Sequence, residues 1–233
     1  MKRVDILQKE LNYEMREEMK NLRTNIQFCG DDKRVIVFTS SLASEGKSTT
    51  SLNLAISLSE LNKNVLFIDA DIRKSVLVSR LGTGKIDRGL SHFLSGQCAL
   101  TDIVYGTNIS RLHMIFSGPV VPNPTELLAS SRFAKALESF RGVYDYIIID
   151  GAPLGMVVDS AIIAKECDGS IIVVESGLIK YRLVQEVRSK LENAGCAVLG
   201  VVLNKVDRKK NGHYYGKYYG TYGDYGRVEE GKV

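Results

Sequence analysis

Residues 35–49 read Val35-Ile36-Val37-Phe38-Thr39-Ser40-Ser41-Leu42-Ala43-Ser44-Glu45-Gly46-Lys47-Ser48-Thr49. A β-branched and apolar run enters a small polar turn, and an apolar stretch with helical spacing follows over Thr49–Leu61. Gly46-Lys47-Ser48 at a strand-to-helix turn is the core of a phosphate-binding loop. Successive backbone N–H groups point inward there, and the helix N-terminus adds the positive end of its dipole. Lys47 is expected to reach the β- and γ-phosphates of a nucleotide, and the Ser48 hydroxyl to ligand Mg2+. Ser44, Glu45, Gly46 and Thr49 complete the expected nucleotide-binding loop. Ser41 stands where such loops usually carry their first glycine. If Ala43 or Ser44 must adopt a positive φ, the strain costs roughly 1–2 kcal/mol.

Outward from this loop, short apolar runs alternate with helical stretches. Strands are expected at Val35–Thr39, Val65–Asp69, Leu112–Phe116, Tyr146–Asp150, Ser170–Glu175 and Val198–Asn204, and helices at Thr49–Leu61, Thr125–Phe140 and Tyr181–Ala194. Strands that are apolar throughout belong in a mostly parallel sheet covered on both faces, which is the doubly wound α/β class. Ligands on such sheets sit at the carboxyl ends of the strands. Two of these strands end in aspartate. Val65-Leu66-Phe67-Ile68-Asp69-Ala70-Asp71 places two carboxylates at a strand end, where both can face the ligand crevice. Tyr146-Ile147-Ile148-Ile149-Asp150 matches the Walker B pattern, in which a carboxylate holds Mg2+ directly or through water.

The composition is that of an ordinary globular chain: 233 residues, 44% hydrophobic and 25% charged. Collagen-like, mucin-like and wholly disordered classes are excluded, and no apolar run approaches the roughly 18 residues of a membrane span. Four scattered cysteines, with no C-x-x-C pair, read as reduced thiols of a cytosolic protein. Residues 1–30 carry Leu7, Leu11, Met15, Met19, Leu22 and Ile26 at helical spacing, and Gly30-Asp31-Asp32 stops that helix. Residues 31–207 form the α/β body. Residues 208–233 differ in kind, with six of the eleven tyrosines and +3 of the net charge of +4. Lacking aliphatic periodicity, they are expected to be flexible.

With Asp69-Ala70-Asp71-Ile72-Arg73, Pro122-Asn123-Pro124-Thr125-Glu126-Leu127-Leu128, Tyr144–Asp150 and Gly200–Asn204, the chain resembles the bacterial tyrosine kinases of capsular and exopolysaccharide synthesis. These belong to the deviant-Walker P-loop ATPases, together with the septum-site and plasmid-partition ATPases. The resemblance implies an ATP- and Mg2+-dependent protein-tyrosine kinase. Asp69 would accept the tyrosine hydroxyl proton, Ser48, Asp71 and Asp150 would hold Mg2+, Lys47 would offset phosphoryl charge, and Asn204 would face the adenine edge. Asn204 caps a turn on the alternative reading. The phosphoacceptors would be the tail tyrosines Tyr214, Tyr215, Tyr218, Tyr219, Tyr222 and Tyr225.

Glu17, Lys20 and Arg23 fall on the family's Glu-x-x-Arg-x-x-Arg oligomerisation motif, with Lys20 in place of the central arginine, implying a ring-like homo-oligomer sensitive to phosphorylation. They also read as a solvated helix face with an i,i+3 ion pair. Other implied partners are a membrane adaptor of the polysaccharide co-polymerase type, a cognate tyrosine phosphatase and protein substrates. The kinase would be cytoplasmic and recruited to the inner face of the membrane. Departures from the family pattern are Ala43-Ser44 for Pro-Gly, Ser75 for a frequent proline, and Gly151-Ala152 for Thr-Pro. The competing reading is a partition or positioning ATPase acting as a nucleotide-driven dimer switch. Glu45 in place of that group's signature lysine, and a tyrosine-rich end in place of an amphipathic helix, argue for the kinase. Nucleic-acid binding by the basic, aromatic tail is disfavoured by its modest charge.

Overall fold

The structure, a computed structural model, describes residues 1–8 and 10–207. The expected tyrosine tail therefore lies outside the described residues. In chain order the elements are β1 Lys2–Val4, α1 Tyr13–Phe28, β2 Val35–Ser40, α2 Lys47–Ser59, β3 Val65–Asp69, α3 Leu77–Arg80, α4 Leu90–Leu94, β4 Tyr105–Thr107, β5 Leu112–Ile115, α5 Pro124–Leu128, α6 Ser131–Arg141, β6 Tyr146–Asp150, α7 Asp159–Ala164, β7 Gly169–Glu175, α8 Tyr181–Asn193 and β8 Val198–Asn204. The eight strands form one sheet in the order β1-β4-β5-β3-β6-β2-β7-β8. Every pairing is parallel except β4 with β5.

The apolar strands feed two cores in strict alternation. Val35, Val37, Leu66, Ile68, Ile147, Ile149, Ile172 and Val174 pack on the face that carries α6, α7 and α8. Ile36, Phe38, Val65, Phe67, Tyr146, Ile148, Ile171 and Val173 pack on the face that carries α2 and Ile26 of α1. A period of two with both faces filled is what makes a continuous apolar run a central strand. Phe38, Phe67 and Phe116 are fully buried, and truncating one of them to alanine is worth about 3–5 kcal/mol.

Three features differ from the sequence reading. The N-terminal helix begins only at Tyr13, capped by Asn12, whose Oδ1 accepts from Met15 N at 2.9 Å. Residues 2–4 instead form an edge strand on β4, too short to show a period. The stretch expected to be one helix over Thr125–Phe140 is two, α5 and α6, broken at Ala129-Ser130. The last strand, β8, is not covered on both faces: Val201 and Leu203 stay 53% and 51% exposed, because β8 is the sheet edge.

Candidate active site

Strand register builds the site before any side chain is placed. β3 and β6 pair with Asp69 opposite Asp150, both at the carboxyl end of the sheet. β2 ends beside them with Phe38 opposite Asp150, and the phosphate loop leaves from there. A cleft of about 540 Å3 lies over these ends, walled by Ser44–Thr49, Asp71, Ser75 and Asp150.

The loop has the backbone its task requires. Ser44 takes φ +67°, so the strain anticipated for Ala43-Ser44 falls on Ser44. Gly46 takes φ +90° and starts α2. A Cβ at Gly46 would meet Asn204 Nδ2 at 1.9 Å, so any other residue there would push that amide aside as well as strain φ. Glu45 is buried. Its Oε1 accepts from Leu42 N, and its Oε2 accepts from Glu175 N at 3.0 Å. Its carboxylate therefore braces the loop from inside and ties it to the end of β7. Asn204 donates from Nδ2 to Glu45 O at 2.9 Å. Lys205 donates to Ser44 O and to Glu175 Oε2, both at 2.8 Å. Asn204, expected to face the adenine edge, thus has a bracing contact that spacing did not disclose.

Lys47, the first residue of α2, is 7% exposed, and its Nζ donates to Asp150 Oδ1 at 2.5 Å. Ser51 Oγ lies 3.5 Å from the same oxygen. Both charges are buried, so each depends on the other for compensation. Asp71 sits half-buried in the cleft wall, and its Oδ1 accepts from Lys74 N at 3.0 Å. Asp69 does not share that position. It is fully buried, accepting from Asp71 N at 3.3 Å and from Ser75 Oγ. Desolvation, with the Asp150 charge next, pushes its carboxyl up from 3.8 to about 7, against the Ser75 hydrogen bond and the Lys47 charge. Ser75 both lines the cleft and bonds Asp69. The carboxylates expected side by side in the crevice are therefore one at its surface and one beneath it.

Arg73 was legible only as part of its motif, and Asp159 carried no signal. The Arg73 guanidinium makes a forked contact with the buried Asp159, Nε to Oδ2 at 2.5 Å and Nη2 to Oδ1 at 2.9 Å, and also donates to Thr125 Oγ1 at 2.8 Å. This clamp fastens the loop bearing Asp71 to α5 and α7. Hard oxygen donors are the right chemistry for Mg2+, which keeps most of its waters and takes one or two carboxylates plus substrate phosphates. Ser48, Asp71 and Asp150 fit that description. Among the described residues no group of three or more His, Cys, Asp or Glu could by itself hold a metal ion.

Glu17, Lys20 and Arg23 lie on α1. Lys20 Nζ donates to Glu17 Oε1 at 2.7 Å, both exposed. Arg23 turns inward and donates from Nη1 to Ser57 O at 2.8 Å and to Ser57 Oγ at 3.1 Å, pinning α1 to α2.

A family profile described as an AAA domain matches residues 33–193. Tyrosine-protein kinase CpsD of Streptococcus agalactiae is 42% identical over 230 residues, 97% of each chain. The chain belongs to the bacterial tyrosine kinases. Among solved structures, the chimerical protein CapA2B2 superposes on this kinase with a TM-score of 0.80 and 29% identity, covering 88% of this chain and 94% of the other. The septum site-determining protein MinD of Pyrococcus horikoshii, solved with Mg-ADP, superposes with a TM-score of 0.65 and 27% identity, covering 75% and 71%. The fold is thus that of the deviant-Walker P-loop ATPases, and the enzyme is a nucleotide-using protein-tyrosine kinase. No helix among the described residues is long and apolar enough to cross a membrane.

Proposed function

We propose that this kinase transfers the γ-phosphoryl group of ATP to the tyrosines of its own C-terminal segment, Tyr214, Tyr215, Tyr218, Tyr219, Tyr222 and Tyr225, and so regulates capsular or exopolysaccharide synthesis and export. The observation that carries this reading is the buried Lys47–Asp150 pair under a phosphate loop, in a chain that carries six tyrosines between positions 214 and 225. In the transfer, a tyrosine oxygen bonds the γ-phosphorus while the bond to the β–γ bridging oxygen breaks and ADP leaves. The hydroxyl proton passes to Ser75 Oγ, which lines the cleft and gives its own proton to the buried Asp69, whose raised carboxyl pKa suits it to hold one near neutrality. Lys47 and the loop N–H groups stabilise charge on the phosphates. Ser48, Asp71 and Asp150 would hold Mg2+, which supplies further neutralisation of phosphate charge. Glu45 and Asn204 keep the loop in shape, and Asn204 stays in the nucleotide-binding set.

The rest follows the family resemblance. A ring-like homo-oligomer forms through Glu17, Lys20 and Arg23, with Arg23 also holding α1 on Ser57, and each tail enters the site of the adjacent subunit, so transfer is in trans. A membrane adaptor recruits the kinase to the inner face of the membrane, and a phosphatase reverses the modification. Each phosphate adds roughly −1.5 to −2 charges, so full modification makes the +3 tail strongly negative. Mutual repulsion then dissociates the oligomer. The buried carboxylate of Glu45, engaged with Leu42 and Glu175, favours this reading over a positioning ATPase, for there is no signature lysine to reach across a dimer.

A mixing experiment tests the proposal. A Lys47→Met chain carrying the tail is incubated with ATP, Mg2+ and an active chain truncated after Asp207. Phosphotyrosine on the inactive partner is expected. Its absence, with both chains folded and associating, refutes trans transfer. Phosphotyrosine on Lys47→Met alone refutes the site.

A further inference from the structure

The phosphate loop accounts for one wall of the cleft. Another part of the lining is chemically unlike it. Val76, on the loop after β3, is 54% exposed, and Met156, on the loop after β6, is 61% exposed. Both line the same cleft, together with Pro153 and Val157. Solvated apolar side chains gathered at a polar, phosphate-binding cleft need an apolar ligand to cover them. Lys74 and Arg80 flank Val76 in that wall. Neither side chain makes a hydrogen bond or ion pair among the described residues, whereas the neighbouring Arg73 and Lys205 are both paired. ATP presents its phosphates to the loop, so its charge does not explain two further cations in the same lining that are unpaired among the described residues.

We propose that this wall is an acceptor subsite: Val76, Met156 and Val157 take the face of the tyrosine ring, and Lys74 with Arg80 take an anion on a neighbouring residue of the acceptor. The inference rests on the phosphotransfer reading above and names the sequence that the site prefers. A planar ring laid on the apolar wall has its hydroxyl directed toward the phosphate loop and Ser75. An anion beside it makes charge-assisted contacts that a neutral neighbour cannot. The anion is a carboxylate or a phosphate. In this chain Asp224 directly precedes Tyr225, while Thr221 precedes Tyr222. In the adjacent pairs Tyr214-Tyr215 and Tyr218-Tyr219, phosphate on one member supplies the anion for the other. Modification thus begins at Tyr225 and makes each pair a better substrate once one member carries phosphate.

Binding is measured first, since it does not depend on turnover. Fluorescein-labelled peptides Gly-Asp-Tyr-Gly, Gly-Asn-Tyr-Gly and Gly-phosphotyrosine-Tyr-Gly are titrated with the full chain in the presence of a non-hydrolysable ATP analogue and Mg2+, by anisotropy. Both anionic peptides are expected to bind about five- to tenfold tighter than the Asn peptide, as two partly exposed ion pairs allow. The double variant Lys74→Ala with Arg80→Ala abolishes that preference and leaves nucleotide affinity unchanged. Met156→Glu weakens all three peptides, and Lys135→Ala on α6 serves as the remote control. A phosphotyrosine preference without an aspartate preference confines the subsite to phosphate and overturns the Tyr225-first order. Equal binding of all three peptides, or a preference that survives the double variant, overturns the subsite itself. Transfer is then followed by mass spectrometry of the full chain, with Tyr225 expected to gain phosphate before Tyr222. Peptide discrimination with no transfer at all defeats the autokinase reading and leaves the subsite standing.

Discussion

Replacing Asp69 by asparagine keeps its shape and its hydrogen bond from Ser75 but removes a charge that the fold holds at a cost. The carboxyl rises from 3.8 to about 7 because it is fully buried at the end of β3 with Asp150 opposite. Between those values the folded chain keeps a proton that the unfolded chain releases. Folded stability therefore declines as pH rises through this window and levels off above about 7. A rise from 3.8 to about 7 corresponds to about 4 kcal/mol at the plateau. Between about pH 5 and about pH 8.5 the part still to be lost is about 3 kcal/mol. The Asp69→Asn variant lacks this slope. Other titrating groups are common to both chains, so their effects largely cancel in the difference. Urea unfolding at both pH values, followed by circular dichroism because the chain has no tryptophan, reads the effect; a chelator excludes metal binding. The variant is expected to gain about 3 kcal/mol relative to wild type on going from the acid to the alkaline condition. It should lose tyrosine phosphorylation while keeping nucleotide affinity. A wild-type-to-variant difference that stays constant within about 0.5 kcal/mol across that range would mean that Asp69 is not desolvated as argued.

Ser75→Ala removes a hydrogen bond that holds the Asp69 carboxyl down, so the inflection in the same pH series moves to higher pH and phosphotransfer slows. Ser44→Gly relieves the left-handed strain at φ +67° and is expected to stabilise the chain by about 1 kcal/mol in urea unfolding, with Ser44→Ala giving no gain. Lys47→Met leaves the Asp150 charge buried without its partner, a loss of about 3–5 kcal/mol. Adding Asp150→Asn recovers much of it, and a cycle with no coupling would contradict the buried pair. Arg23→Ala, by freeing α1 from Ser57, lowers the melting temperature, whereas Lys20→Glu lowers oligomer mass in light scattering without that loss. An unchanged mass would return Glu17 and Lys20 to a solvated ion pair.

The information carried by neighbours in the chain was legible in the sequence. Alternating apolar runs announced a covered parallel sheet because a central strand must fill both of its faces. Gly46-Lys47-Ser48 after such a run announced a phosphate loop because only a strand-to-helix turn aligns those N–H groups. Strand-terminal Asp69 and Asp150 announced the carboxyl end of the sheet as the site. What depended on distant segments meeting was settled only by tertiary structure. Spacing placed Asp69 and Asp71 together, but the register of β3 against β6 buries the first beside Asp150 and leaves the second in the cleft wall. Glu45 read as a missing lysine, and the approach of β7 makes it the internal brace of the loop. Asp159 gave no signal at all, since its meaning comes entirely from Arg73, 86 residues away in sequence. Residues 2–4 pair with β4 although they are too short for any period. Periodicity and turn chemistry are local, whereas burial, and the charge a buried group can hold, depend on which strands become neighbours.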